Sequence, residues 1–164
     1  MLYAVRAATV AGVAIPAILL DQITKALAQT RLVSGEIVEL LPVLNLRLGF
    51  NRGISFGLAP AEGIAGLWGL IVLTAAIVIG LAVWAVRTGD GRERLPLSLI
   101  LGGAIGNLID RVRDGMVTDF IDLHAAGYHW PTFNIADIAI TAGAGLFVLS
   151  SVGLGSRDQQ PEPM

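Results

Sequence analysis

Charged residues are scarce in this sequence, and cysteine is absent. Only 15% of the 164 residues are charged, whereas soluble domains usually carry about 25%. Without cysteine the chain has no disulfides, no thiolate metal site and no cysteine nucleophile. The formal net charge of -2 argues against a nucleic-acid partner, because such a partner requires a basic surface. No P-loop or GxGxxG motif occurs either.

What the chain has instead is long apolar segments. A membrane-spanning helix needs roughly 20 mostly apolar residues, and the second segment alone offers 24 consecutive uncharged positions. The first and third segments reach this length only by including polar residues at one end. The pattern predicts an all-α polytopic membrane protein with four transmembrane helices, near residues 5–28, 62–87, 94–112 and 132–155. We expect residues 1–155 to form a single integral-membrane domain, followed by a flexible tail, 156–164.

The first apolar segment has a second interpretation. Arg6, the apolar run after it and the small residues "ALA" at 26–28 are also typical of a cleavable signal peptide. We expect a retained helix.

A short alternating stretch lies between the first two predicted helices. Residues 43–51, "VLNLRLGFN", alternate apolar and polar side chains, and this period of two predicts a β-strand. We expect a small β-cradle on the membrane surface, near 31–57. With four spans, the loops 29–61 and 113–131 lie on one side and both termini on the other. Basic residues divide almost evenly between the sides, so the positive-inside rule does not decide the orientation.

Polar residues inside the predicted helices suggest a site, because ionisable groups in a membrane are costly. Asp21 and Lys25 have the spacing of an intrahelical ion pair, which either marks the membrane interface or contacts a substrate. Gly103, Asn107 and Arg111 share one helix face. Asn107 and Arg111 could hold a carboxylate or a substrate carbonyl there.

Two glycines of the third predicted helix have a separate meaning. Gly102 and Gly106 form a small-xxx-small pattern, which lets a neighbouring helix approach closely. For these glycines, and for Gly103, helix packing is the commoner explanation.

Two aspartates, Asp119 and Asp137, together predict acid–base chemistry. Asn134 and Asp137 lie three residues apart at the start of the fourth helix, with Asp137 roughly 8 Å along it. Asp119 lies on the same side of the membrane, so the two carboxylates can meet. In one low-dielectric site, one holds a proton while the other stays charged. Such a pair can activate water and protonate a leaving amide nitrogen.

Other chemistries have weaker support. His124 and His129 are five residues apart, which is not the spacing of a helical zinc site, and we expect both to be surface-loop histidines. Ser55 lies outside any GxSxG motif. The residues alone leave three functions open: an aspartate hydrolase, a proton-coupled carrier that uses the same aspartates as a relay, and a structural protein whose polar residues lock helices together.

The order of five motifs is similar to that of the bacterial lipoprotein signal peptidases, or signal peptidase II. The motifs are "DQITK" at 21–25, "NRGISFG" at 51–57, "GGAIGNLIDR" at 102–111, "VTDF" at 117–120 and "FNIAD" at 133–137. The resemblance implies a membrane aspartyl endopeptidase without metal or cofactor. Such an enzyme cuts the signal peptide from diacylglyceryl-modified prolipoproteins just before the lipidated cysteine, with water activated between two aspartates.

The resemblance also assigns residues and a location. It makes Asp119 and Asp137 the catalytic pair. The other motif positions, implied to support the site or bind substrate, are Asp21, Lys25, Asn51, Gly53, Gly103, Asn107, Arg111 and Asn134. It implies a monomer in the bacterial inner membrane, with the site facing the periplasm or outer leaflet, both termini cytoplasmic, and a lipidated prolipoprotein and membrane lipid as partners.

A few residues depart from the family pattern or fall outside it. Thr118 stands where an aliphatic residue is common, and Ser55 where alanine is. Three further acids do not match catalytic positions. We expect Asp110 to pair with a neighbour on its own helix, and Asp114 and Asp122 to be solvated.

Overall fold

The computed structural model describes residues 1–53 and 63–155 of the chain. The helices are α1 (Leu2–Arg31), α2 (Gly63–Arg87), α3 (Gly91–Asp114) and α4 (Ile135–Gly155), and the strands are β1 (Val38–Leu41), β2 (Leu44–Asn51), β3 (Val117–Ala125) and β4 (Tyr128–His129). All four helices are long and apolar enough to cross a membrane. The predicted fold class is therefore confirmed, and each predicted helix end lies within three residues of the observed one. The predicted tail and Ser55 lie outside the described residues.

Helix α3 is the centre of the bundle. Of its most apolar window, 61% is buried inside the protein, against 6% for α2. The reason is the row of small residues that α3 presents to its neighbours. A Cβ on Gly102 would lie 2.9 Å from the carbonyl oxygen of Ala14 in α1, and one on Gly103 would collide with the carbonyl of Ala136 in α4. The other helices can therefore approach α3 closely while their remaining apolar faces are left for lipid.

A four-stranded antiparallel sheet, in the order β1-β2-β3-β4, lies at one end of the bundle. The strand predicted at 43–51 is confirmed as β2. The predicted cradle was incomplete, however, because half of the strands come from the segment between α3 and α4. A two-residue turn joins β3 to β4, with positive φ at both Ala126 (51°) and Gly127 (81°). Positive φ at both positions is the geometry of a type I′ hairpin.

Candidate functional site

Asp119 and Asp137, the predicted catalytic pair, line one cavity of about 560 Å³. Asp119 lies on β3 and is only 4% exposed, while Asp137 lies in the first turn of α4. The two elements meet because the chain before α4 pairs with β3. The Phe133 N–H donates to the Ile121 carbonyl at 3.1 Å, and the Ile121 N–H donates back at 2.9 Å.

The same pairing corrects the predicted start of α4. The prediction began the helix at residue 132, but Phe133 is held as a strand partner and the helix begins at Ile135. Asp137 therefore lies in the first turn and not roughly 8 Å along the helix. The Asp137 N–H donates to Asn134 Oδ1 at 3.0 Å, and the Asn134 N–H donates to Asp137 Oδ2 at 3.3 Å. This reciprocal arrangement is a capping box, and it fixes the Asp137 carboxylate against the backbone.

Each carboxylate of the pair accepts a hydrogen bond from an asparagine amide. Asn134 Nδ2 donates to Asp119 Oδ1 at 2.6 Å. Asn107 Nδ2, from α3, donates to Asp137 Oδ1 at 2.9 Å. Both oxygens of Asp137 thus accept N–H groups, which is the hydrogen bonding that an ionised carboxylate requires.

Lys25 determines which way the Asn107 amide points. It is 1% exposed, and its Nζ lies 2.8 Å from Asp21 Oδ2, 2.9 Å from Asp110 Oδ2 and 2.9 Å from Asn107 Oδ1. Three acceptors match the three protons of the ammonium group. Because Asn107 Oδ1 faces Lys25, Asn107 Nδ2 faces Asp137. The expected contact between Asp21 and Lys25 is present, and it belongs to this buried network.

Asp21 and Asp110 connect α1 to the helices around it. Asp21 Oδ1 accepts the N–H of Ala136 at 2.9 Å, so α1 satisfies one of the free amides at the start of α4. The expected partner on α3 is present, since Arg113 Nη2 lies 3.8 Å from Asp110 Oδ1. The nearer partners are Lys25 and Gln22 on α1, at 2.9 and 2.8 Å.

The electrostatics of Asp119 follow from its surroundings. Burial and the nearby negative charge of Asp137 raise the pKa of Asp119 to about 7, against the opposing effects of the Asn134 hydrogen bond and the charge of Lys25. Asp119 therefore exchanges its proton close to neutral pH, as a group that both donates and accepts protons must.

The remaining predicted site residues border this centre. Asn51 lines the cavity beside the two aspartates. Its Oδ1 accepts the N–H of Gly53 at 2.9 Å, and Arg111 donates to the Gly53 carbonyl at 2.9 Å. Arg111 thus holds the backbone after β2, and its buried Nε has no partner among the described residues. Gly103 allows the close approach of α3 and α4 described above.

A second buried carboxylate contradicts the sequence expectation. Asp122 is 1% exposed, not solvated. His129 Nδ1 lies 2.9 Å from both of its oxygens, and Asn45 Nδ2 donates to it at 3.4 Å. Burial alone would raise the pKa of Asp122, but the hydrogen bonds from His129 and Asn45 outweigh it, and the pKa lies below its usual value. His124 and His129 lie on strands, not in a surface loop, and their rings stack at 5.1 Å.

Three further residues make hydrogen bonds around the site. Gln22 and Gln29 were not singled out from the sequence, and Thr118 was noted only as a departure from the family pattern. Gln22 donates to Asp110, as described above, and to the Gly106 carbonyl at 3.2 Å. Gln29 Nε2 donates to Thr118 Oγ1 at 2.6 Å, so the unusual hydroxyl at 118 has a partner on α1. Gln22 precedes Lys25 by three residues and Gln29 follows it by four. Both therefore share the helix face of Lys25, and that shared face is the signal that could have identified them.

The cavity continues from the aspartates as an apolar groove. One wall is α4, where Ile138, Thr141 and Ala142 follow Asp137 over a turn and a half. The other wall is the segment that includes Leu123, Trp130 and Phe133. The two carboxylates thus lie at the polar end of a groove that runs along a membrane helix. Within residues 1–53 and 63–155, no group of three histidine or acidic side chains is placed to hold a metal ion.

Comparison with known proteins gives concordant results. The sequence model of the family described as signal peptidase (SPase) II matches residues 13–153. A lipoprotein signal peptidase of Hydrogenovibrio crunogenus is 38% identical over 94% of this chain and 91% of its own length. One from Methylobacterium radiotolerans is 40% identical over 89% and 86%. A bacterial membrane enzyme solved by the in meso method at 2.3 Å resolution superposes with a TM-score of 0.83 at 29% identity, covering 96% of this chain and 94% of the other.

Proposed function

Since the chain belongs to the signal peptidase II family, we propose that it removes signal peptides from diacylglyceryl-modified prolipoproteins just before the lipidated cysteine, with Asp119 and Asp137 as its catalytic aspartates. One observation carries the assignment. The two carboxylates line the same cavity, and each is held by an amide from another part of the chain.

The geometry supports different roles for the two aspartates. Asp137, with N–H donors on both oxygens, acts as the ionised base and takes a proton from water. The water oxygen then attacks the scissile carbonyl carbon. Asp119, with its pKa raised to about 7, holds a proton and gives it to the carbonyl oxygen. When the tetrahedral intermediate collapses, the C–N bond breaks and the proton held by Asp137 passes to the leaving amide nitrogen. One hydroxyl of the intermediate returns a proton to Asp119 as the new carbonyl forms.

The groove along α4 receives the apolar residues of the signal peptide. Its lining is suited to a substrate that arrives within the bilayer, because the side chains of Leu123, Trp130 and Phe133 line the space beside the two carboxylates. A substrate anchored by lipid stays in the membrane during cleavage, since exposing its chains to water would cost about 0.8 kcal/mol per CH₂.

The cellular setting is part of the same proposal. The chain is a multi-pass membrane protein. We place it in the bacterial inner membrane as a monomer, with the sheet and the aspartates on the periplasmic side and both termini in the cytoplasm. Residues 1–155 act as one peptidase domain and need no cofactor.

The test is a gel-shift cleavage assay with the detergent-purified full chain. Its substrates are a diacylglyceryl-modified prolipoprotein and the unlipidated form, and the variants are Asp119→Asn, Asp137→Asn and, as a matched control, the exposed Asp114→Asn. We expect wild type and the control to cut only the lipidated substrate, and both active-site variants to be inactive although folded. Cleavage by either variant at near the wild-type rate would reject that aspartate as catalytic. A folded wild type that cuts nothing would favour the proton-coupled carrier.

A further inference from the structure

A second groove lies at the opposite end of the bundle, where α1 begins and α2 ends. It has a volume of about 620 Å³ and is lined by Tyr3, Ala82, Val83, Val86 and Arg87. Its wall is therefore mostly apolar, and its polar groups are at the helix ends. Tyr3 and Val83 are 61% and 45% exposed, so the groove is open towards the surroundings of the bundle.

Arg87 lines the polar end of this groove, and Arg6 contacts two of its lining residues. Arg6 Nη1 donates to the carbonyl of Arg87 at 3.1 Å, and the guanidinium of Arg6 lies 5.8 Å from the centre of the Tyr3 ring. Arg6 thereby caps the C-terminus of α2 and is held at the residue, Arg87, whose side chain lines the groove. Neither guanidinium has a carboxylate within 4 Å in the part of the chain that the structure describes.

We infer that this groove binds an anionic phospholipid, with the phosphate between Arg6 and Arg87 and an acyl chain along Ala82, Val83 and Val86. The inference concerns a site remote from the two aspartates and does not depend on the proposed function.

Position and charge both favour this occupant. Helix ends of a membrane-spanning bundle lie at the level of the lipid headgroups, where basic pockets between helices bind anionic headgroups. Two arginines at one groove, neither paired with a carboxylate of the described residues, attract a phosphate, and guanidinium groups form paired hydrogen bonds with phosphate oxygens. An apolar groove that begins at the same point accommodates the acyl chain, which a free phosphate ion would leave empty.

The experiment is native mass spectrometry of the full chain in detergent, titrated with phosphatidylglycerol and with phosphatidylcholine of the same acyl length. We expect phosphatidylglycerol to bind at least about fivefold more tightly, since one basic residue near the headgroups contributes about a factor of five. Arg87→Gln should remove about that factor while leaving the backbone carbonyl that accepts from Arg6. The matched control is Arg31→Gln, an exposed arginine at the other end of α1, which should bind as wild type does.

A third variant separates a lipid from an anion. Val83→Phe fills the groove without changing the charge, so it should weaken binding of phosphatidylglycerol and leave binding of inorganic phosphate unchanged. The inference is overturned if both lipids bind equally, if Arg87→Gln behaves like the control, or if Val83→Phe has no effect.

Discussion

Among single residues, Asp119 is the one whose raised pKa makes the stability of the fold depend on pH near neutrality. Burial and the charge of Asp137 raise its pKa to about 7, whereas the pKa of an unfolded aspartate is about 3.9. Between these values the folded protein binds more protons than the unfolded chain. The contribution of this group to stability is therefore fully present below the unfolded pKa and is lost as pH rises through the folded pKa near 7.

The first prediction concerns this coupling. Asp137→Asn should lower the pKa of Asp119, because the neutral amide removes a repulsion that favours the protonated form. Infrared titration of protein labelled with ¹³C-aspartate would follow the carboxyl band of Asp119, assigned by its loss in Asp119→Asn. Asp114→Asn, an exposed carboxylate paired with Arg113, is the control and should leave the titration unchanged. An unshifted pKa in Asp137→Asn would mean that the two carboxylates do not interact.

The second prediction concerns Lys25. Lys25→Met should lower the free energy of unfolding by about 3–5 kcal/mol, because it leaves Asp21 and Asp110 buried without their cation. Adding Asp110→Asn should recover part of this loss, since it removes one of the two buried carboxylates that lose the contact with Lys25. Denaturant unfolding in detergent measures both variants. A single variant as stable as wild type would show that the ion pairs contribute nothing net.

Only some of these residue relations were predictable. The pair Asp21 and Lys25 follows from spacing along one helix, and so does the common side of Asn134 and Asp137. The burial of Asp122 does not, because its partners Asn45 and His129 come from neighbouring strands whose register the sequence does not display. Asp110 was predicted only in part, since Arg113 is on the same helix but the nearer cation, Lys25, is on α1.

At the scale of elements, the packing of α4 on α3 depends on a few glycines. A Cβ on Gly143 would lie 2.8 Å from the Pro96 carbonyl oxygen and 2.7 Å from Ile100 Cγ1, whereas a Cβ on Gly145 would meet nothing within 4 Å. The two glycines are on the same helix and differ only in what they face. Alanine substitutions at the two positions therefore distinguish the effect of helix packing on stability from the effect of helix propensity.

The third prediction uses this pair. Gly143→Ala should destabilise the protein by about 1–3 kcal/mol, because backbone atoms of α3 cannot yield easily to the added methyl group. Gly145→Ala should be neutral or should stabilise by up to about 1 kcal/mol, the difference in helix propensity. Thermal unfolding in detergent measures both. Equal effects of the two substitutions would contradict the close packing at Gly143.

The elements were predictable in proportion to their length. A run of apolar residues long enough to cross a membrane is an unambiguous pattern, and the helices were located to within three residues. β3 was missed because its segment carries Asp119 and Asp122, which resemble loop residues until their partners are known. β4 is two residues long and exists only through its hairpin turn.

For the whole molecule, the sheet and the aspartates lie at one end of the bundle, and the α2–α3 connection lies at the other. The proposed orientation places the first end outside the cytoplasm. The absence of cysteine makes this directly testable, because any introduced thiol is the only one in the chain.

The fourth prediction follows. Tyr128→Cys, in the exposed hairpin, should react with a membrane-impermeant maleimide added to intact spheroplasts, because Tyr128 is 68% exposed at the end of the site. Gly89→Cys, exposed between α2 and α3, should react only after the membrane is broken. The reverse pattern would invert the proposed topology.

The hydrogen bonds that hold the first turn of α4 have a consequence for inhibition. Asp137 belongs both to the aspartate pair and, with Asn134, to the helix cap. Asp21 accepts the N–H of Ala136 in the same turn. A compound that fills the cavity against this turn contacts residues whose exchange would remove either the proposed catalysis or the hydrogen bonds that begin the helix. Resistance substitutions should therefore arise on the facing wall, at positions such as Leu123 and Trp130. An inhibitor designed to bind mainly along α4 would leave few positions at which resistance could arise.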